Sequence, residues 1–269
     1  MFIEKNMKGV KMTNKFIPMV EMFYSLQGEV SGAPSIFVRS ALCCFQCRGF
    51  GCKVIAPDGA EVIGCDTVKS TSTKFKSLWT YYEDYMSLVK DIQKLRNPNM
   101  IKHNRFEEIV WTGGEPLLWW NTEIMQNTLA YFVSRGHKIT IETNASLDIE
   151  FFREYQKQFQ FSMSVKLEHS GEPKEKRINI ETITKIIENC PSSYLKFVIN
   201  PETWDSDVLE IREILDAVPY YITVYLMPLG GNRKQLEENT RFVFEKAAQC
   251  GFNYCDRYHI RSYDTKEAV

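Results

Sequence analysis

"TEIMQNTLAYFVSRGHKITIETNASLDIEFFREYQKQFQFSMSVKL", residues 122–167, changes its apolar spacing repeatedly. TEIMQNTLAYFVSRG has helical spacing and stops at Gly136. KITIETN, 138–144, reads as a strand, IEFFREYQKQ, 149–158, as a helix, and FQFSMSVKL, 159–167, as a strand. The pattern continues downstream. NIETITKIIENC, 179–190, is a helix with Asn179 as its cap, and YLKFVIN, 194–200, a strand. DSDVLEIREILDAV, 205–218, is a helix, YITVYLMP, 221–228, a strand, and RKQLEENTRFVFEKAAQCG, 233–251, a long helix closing on Gly251. Upstream, PMVEMFYSLQ, 18–27, and SIFVRSA, 35–41, are strands. LWTYYEDYMSLVKDIQKL, 78–95, has helical spacing and ends near Asn97-Pro98, and FEEIVWTGGEP, 106–116, is a strand broken by two glycines and a proline. Strand alternating with helix calls for a parallel sheet with crossover helices. About six parallel strands are too few for a closed eight-stranded barrel, so the expectation is α/β, an open partial (β/α) barrel. Polar or glycine-bearing strand ends then converge on one rim: TGGEP, ETN, SVK, MPLGG and the cysteine loop after FVR.

Composition excludes several classes. The 269 residues are 44% hydrophobic and 25% charged, with a net charge of -1. No global field draws the chain to nucleic acid or an anionic membrane. No apolar run approaches the roughly 18 to 20 residues of a membrane span, and the opening MFIEKNMKGVKMTNKF lacks the apolar core of a signal peptide. A cytoplasmic protein is expected, with residues 1–15 a flexible lead and 16–269 one domain carrying a cysteine-loop insertion near 48–64.

Cysteine usage is the sharpest chemical signal. Of eight cysteines, Cys43, Cys44, Cys47, Cys52 and Cys65 crowd one stretch, while Cys190, Cys250 and Cys255 are scattered and read as free buried thiols. A reducing setting disfavours disulfides, so the crowded set points to metal. Zinc sites favour two close pairs of ligands. Cys44-x2-Cys47 is one such pair, but Cys52 and Cys65 are not a second. Cys43-x3-Cys47 followed by a distant third thiolate suits an iron–sulfur cluster with one open iron.

FYSLQGE, APSIFVRSALC, GCDT, TGGEPLL, ETNAS, SVK and VYLMPLGGNRKQLEENTRFVFEKAAQCGFNYCDRYHI occur in that order, spanning about residues 16 to 260. Together they resemble the radical S-adenosylmethionine family of 7-carboxy-7-deazaguanine synthases. The resemblance implies a carbon–nitrogen lyase that converts 6-carboxy-5,6,7,8-tetrahydropterin to 7-carboxy-7-deazaguanine with loss of ammonia, for queuosine or a modified DNA base. It implies a [4Fe-4S] cluster on Cys43, Cys47 and Cys65, with Cys52 the alternative third ligand inside an insertion and Cys44 a passenger. Thr67 would bind Mg2+, beside Asp66. S-adenosyl-L-methionine would meet Gly113, Gly114, Glu115, Glu142, Asn144, Ser164, Lys166, Met227 and Pro228. Leu26, Gln27, Gly28, Glu29, Arg39 and His259 would meet the pterin, Arg39 suiting a carboxylate and His259 read as lying on a strand. A homodimer and a flavodoxin-like reductant are implied, with no direct nucleic acid or membrane partner. The chain departs from the family at Val165, where proline is common, at the cysteine-loop insertion and at its tail, SYDTKEAV. Two rivals remain: another radical enzyme on the same scaffold, such as a glycyl-radical activase, and a zinc-stabilised binding module.

Overall fold

The computed structural model describes residues 15–28, 32–47, 51–65 and 67–266. Glu29, Asp66 and the expected lead before Lys15 lie outside the described residues.

The chain opens with β1 (Ile17–Gly28) and β2 (Ala33–Ser40), an antiparallel pair. A small hairpin follows, β3 (Cys52–Ile55) and β4 (Glu61–Gly64), then a single helical turn, α1 (Val68–Thr71). β5 (Thr80–Tyr82) precedes α2 (Tyr85–Lys94) and α3 (Pro98–Lys102). From there the strand–helix alternation sets in. β6 (Glu108–Gly113), α4 (Glu123–Val133), β7 (Ile139–Thr143) and β8 (Gln160–Met163) lead to α5 (Lys174–Arg177) and α6 (Ile180–Asn189). β9 (Tyr194–Ile199), α7 (Trp204–Ala217), β10 (Thr223–Pro228), α8 (Arg233–Cys250), β11 (Asn253–Tyr254) and α9 (Tyr258–Tyr263) complete the order.

Nine strands form one sheet in the order β11-β10-β9-β8-β7-β6-β2-β1-β5. From β2 through β11 every neighbouring pair is parallel, while β1 and β5 add an antiparallel edge. Its end strands β5 and β11 do not pair, so the sheet is open. The six long parallel strands match expectation, and β11 adds a short seventh. Among the described residues β3 and β4 pair only with each other.

Two helical expectations are corrected. Residues 149–158 hold only a 3-10 turn at Glu154–Gln158. The Trp120 indole N–H takes the Glu150 carbonyl at 2.8 Å, and Trp120 meets Phe151 edge-on, so tertiary partners claim the groups a helix would use. The region 78–95 is helical only from Tyr85. Thr80–Tyr82, β-branched and aromatic, pairs with β1 instead. Asp84 then caps α2 by accepting from the Met86 and Ser87 amides. Elsewhere the punctuation holds: Asn179 caps α6, and α8 ends on Gly251 at φ 70.

Side chains alternate across the sheet with period two. Ile109 and Trp111 of β6, Ile139 and Ile141 of β7, and Leu195 and Phe197 of β9 join one continuous apolar core reaching from Ile17 to Ala247. Burying a large aromatic such as Trp111 or Phe161 stabilises by roughly 1.5–3 kcal/mol. The intervening residues Val110, Thr112, Thr140, Glu142, Tyr194 and Lys196 line a cavity on the other face. Parallel strands are ordinarily apolar on both faces. Here the second face mixes charged and hydroxyl side chains with apolar ones, and that difference makes room for chemistry. No helix among the described residues is long and apolar enough to cross a membrane.

Candidate active site

The cavity has a volume of ≈ 1180 Å³. It exceeds the ~300–1,000 Å³ typical of a pocket for one small ligand. Cys43, Cys47, Cys52 and Cys65 all line it, and Cys44 does not. Cys44 Sγ instead meets Asn144 Nδ2 at 3.3 Å and Ser146 Oγ at 3.4 Å. The Cys43–Cys44 hydrogen bond pulls the Cys44 thiol down to about 6 against burial, helped by Ser146 and Asn144. The same bond, with burial, pushes the Cys43 thiol well up.

The shape of the cysteine loop is set by two glycines. Leu42, in the left-handed region at φ 72, turns the chain after β2. Gly113, at φ +148, would place a Cβ 2.1 Å from the Ser40 carbonyl oxygen, and Gly114 would place one 2.1 Å from that of Leu42. Only glycine permits that approach. It lets the Gly114 amide donate to Ser40 at 3.2 Å and the Glu115 amide to Leu42 at 2.8 Å. TGGEP is thus joined to the cysteine loop, and both glycines line the cavity.

Glu115 is placed differently from the expected ligand contact. It is absent from the cavity lining and fully buried. Its Oε1 accepts from the Thr143 hydroxyl at 2.6 Å and the Leu117 amide at 3.0 Å, and its Oε2 from the Asn144 amide at 2.8 Å. Burial pushes its carboxyl up to about 8, the charge of Cys44 adds to that, and the three donors pull against it. Glu115 ties the end of β6 to the end of β7.

Glu142, Asn144, Ser164, Lys166 and Met227 line the cavity, and Pro228 does not. Lys166 Nζ donates to Ser164 Oγ at 3.0 Å. Thr67 also lines it, its hydroxyl 3.0 Å from Cys65 Sγ. Of the proposed pterin contacts, Gln27, Arg39 and His259 reach the cavity, while Leu26 is exposed. His259 sits on α9, not on a strand. Arg39 Nε pairs with Glu21 Oε1 at 2.7 Å, and both side chains line the cavity. Asp264, Thr265 and Lys266 of the divergent tail line it as well. The late cysteines divide: Cys190 is buried against the Gln156 carbonyl at 3.3 Å, Cys250 is only partly buried, and Cys255 lines the cavity.

Lys196 was not foreseen. Its Nζ lies 3.3 Å from Glu142 Oε1. Burial alone would raise the Glu142 carboxyl, but Lys196, the Thr112 hydroxyl and Arg39 hold it below the usual range. Burial likewise opposes the Lys196 charge, which Glu142, Tyr194 and Cys255 hold up. Two ion pairs, Glu21–Arg39 and Glu142–Lys196, therefore stand on the cavity face of the sheet with Thr112 between β2 and β7. The available signal was a charge inside an apolar strand: Lys196 in YLKFVI and Glu21 in PMVEMFY.

The donor set fits a thiolate-bound cofactor, with several soft sulfur ligands and charged groups lining one partly enclosed cavity. Among the described residues no three Cys, His, Asp or Glu side chains converge on a single metal ion. A cluster is wider than one ion and takes thiolates set farther apart.

No family model matches the chain. Curated proteins named 7-carboxy-7-deazaguanine synthase do. The one from Rhodopirellula baltica is 26% identical, covering 93% of this chain and 87% of its own length. That of Halobacterium salinarum is 26% identical over 91% and 89%. That of Leptospira interrogans is 30% identical over 72% and 75%. Among solved structures, Streptococcus suis SuiB overlaps 84% of this chain at 12% identity with a TM-score of 0.47. The overlap takes in about half, 48%, of the SuiB chain, and is too loose to bear on topology.

Proposed function

The chain belongs to the family of 7-carboxy-7-deazaguanine synthases, and from that premise we propose that it is a radical S-adenosylmethionine lyase acting on 6-carboxy-5,6,7,8-tetrahydropterin. The product on this reading is 7-carboxy-7-deazaguanine, with ammonia released. One observation carries the proposal: one cavity, running along the sheet face to the C-terminal ends of the parallel strands, is lined by Cys43, Cys47, Cys65, Thr67, Arg39 and Glu142. The open sheet is then a partial (β/α) barrel and its rim the reaction site.

Cys43, Cys47 and Cys65 would hold the cluster, and Thr67 the Mg2+, which keeps waters and takes substrate oxygens. When bound, the cluster would supply the electron for cleavage of S-adenosylmethionine into methionine and a 5'-deoxyadenosyl radical. The chain's own part is placement. Asn144, Ser164 and Lys166 offer hydrogen bonds to the cofactor's ribose and methionyl groups. Arg39 keeps guanidinium donors beyond the Nε that faces Glu21, and these suit the substrate carboxylate. Glu142, held ionised by Lys196, accepts N–H donors from either ligand. Gln27 and His259 close the substrate end. The partners proposed are a flavodoxin-like reductant and a second copy of the chain.

Anaerobic purification tests the reading. A brown protein with about four iron and four sulfide per chain, and conversion of the carboxytetrahydropterin to the deazaguanine, are expected. Zinc near one per chain in a colourless preparation overturns it in favour of a binding module. An iron–sulfur protein that forms a glycyl radical on a partner enzyme, and no deazaguanine, overturns it in favour of an activase.

A further inference from the structure

Cys44, Phe45 and Gln46 separate Cys43 from Cys47, and each has its own anchor. Cys44 leans on Asn144 and Ser146. Phe45 is buried under Lys176, whose Nζ lies 5.2 Å from its ring centroid. The Gln46 amide donates to Glu172 Oε1 at 2.5 Å, across 126 residues of chain. The first of these comes from the turn after β7, and the other two from the segment after β8.

Glu172 is itself rigidly mounted. Its side chain is 7% exposed, and Oε2 accepts from Lys176 Nζ at 2.6 Å. Its carbonyl accepts from Arg177 Nε at 3.0 Å. Arg177 is buried, and its other nitrogens reach the Lys166 carbonyl at 2.9 Å and Glu210 Oε1 at 2.6 Å. Gly171, at φ 79, supplies the left-handed turn that aims Glu172 back at the cysteine loop. The carboxylate has little freedom of its own, so the amide it holds has little either. A charge-assisted bond to a backbone N–H is among the stronger single hydrogen bonds a loop makes.

The geometry points to Glu172 as a positioning residue: its carboxylate grips the amide next to Cys47 and so fixes the Cys47 thiol toward the cavity. It also couples the cysteine loop to the segment bearing Ser164 and Lys166, because Arg177 joins the Glu172 and Lys166 carbonyls. The consequence for a cluster rests on the proposed function, but the grip itself does not.

The experiment has two arms, on Glu172→Ala and Glu172→Gln. In the full chain without iron, hydrogen exchange of a peptide spanning residues 43–47 is expected to speed up about tenfold in the alanine variant. The glutamine variant falls between, since its amide oxygen still accepts. Exchange across β6 to β10 stays at the wild-type rate. In the iron-loaded chain, loss of iron to a chelator accelerates by a similar factor, and the electron paramagnetic resonance spectrum of the reduced cluster changes. Unchanged exchange at residues 43–47 overturns the proposal. So does exchange that rises throughout the sheet, which marks Glu172 as a general structural brace. Faster exchange with unaltered iron release and spectrum overturns the claim on Cys47. If the wild-type chain takes up no iron, the proposed function falls, while faster local exchange still upholds the grip.

Discussion

The stretch that carries the cavity's thiols has two halves of opposite construction. Cys43 to Cys47 is wedged into the body of the protein, against Gly114 on one side and Glu172 on the other. Cys52 to Cys65 is built on the β3–β4 hairpin, whose ladder closes only on itself, Cys52 opposite Gly64 and Val54 opposite Val62. Its inner residues Cys52, Val54 and Val62 line the cavity. Ile55, on its outer face, is 63% exposed. A lone two-stranded hairpin is marginal in water. One half of the site is therefore held by long-range contacts and the other by a local ladder, so equal substitutions in the two halves carry unequal consequences.

The largest expected effect breaks or confirms the division of labour between Cys52 and Cys65. Cys65→Ala is expected to lose its iron and all turnover, and Cys52→Ala to keep both, as read from iron and sulfide per chain. The reverse result moves the third ligand onto the hairpin itself. Next comes the wedged half. Gly114→Ala forces a Cβ against the Leu42 carbonyl, and a loss of roughly 3 kcal/mol is expected in denaturant unfolding. The same change at Gly59, in the hairpin turn, meets no atom within 4 Å, though its φ of +83 strains any side chain. It is expected to cost about 1 kcal/mol. A gap that closes between these two glycines abolishes the contrast.

Lys196→Met comes third, with a loss of roughly 2 kcal/mol, since the Glu142 carboxylate facing the cavity loses its nearest cation. Its pH signature has a definite sign. Glu142 titrates lower in the folded chain than its ordinary 4.5, so its stabilisation is complete above that value and disappears as pH falls through the folded value. Lys196 titrates higher than its ordinary 10.5, so its share is complete below that value and disappears as pH rises through the folded one. Melting followed against pH is expected to show the wild type more stable than the variant throughout this window, the gap closing at either end, with the acid limb of the variant's activity moved upward. The smallest effect belongs to the hairpin's outer face. Ile55→Thr is expected to stay within about 0.5 kcal/mol of wild type in thermal unfolding.

Legibility followed range. Helices α6, α7 and α8 and the long parallel strands announce themselves through spacing, caps and closing glycine, all of which are local. Thr80–Tyr82 was hidden inside a helical spacing because its choice of strand depends on β1, some sixty residues earlier. Residues 149–158 have helical composition, yet Trp120 outbids the helix for the Glu150 carbonyl. At the site, motif order led to part of the cavity's polar lining, Arg39, Cys43, Thr67, Glu142 and Lys166 among it, but not to Lys196, which has no motif around it. Nor did motif order foresee that Glu115 turns inward. Its three donors come from Leu117, Thr143 and Asn144, two of them on another strand end. Cys52 and Cys65 both reach the cavity, so the contest between them passes from reading to experiment.

The contact between Gly114 and Leu42 also imposes a calendar. Synthesis delivers Cys43 and Cys47 long before Gly113 and Gly114, and the loop takes its inward shape only once β6 has paired with β2. Pairings this distant in sequence form late. A nascent chain thus emerges with its thiols unposed, and on the proposed function its cluster enters only after the middle of the sheet exists, with the glycine pair as the latch.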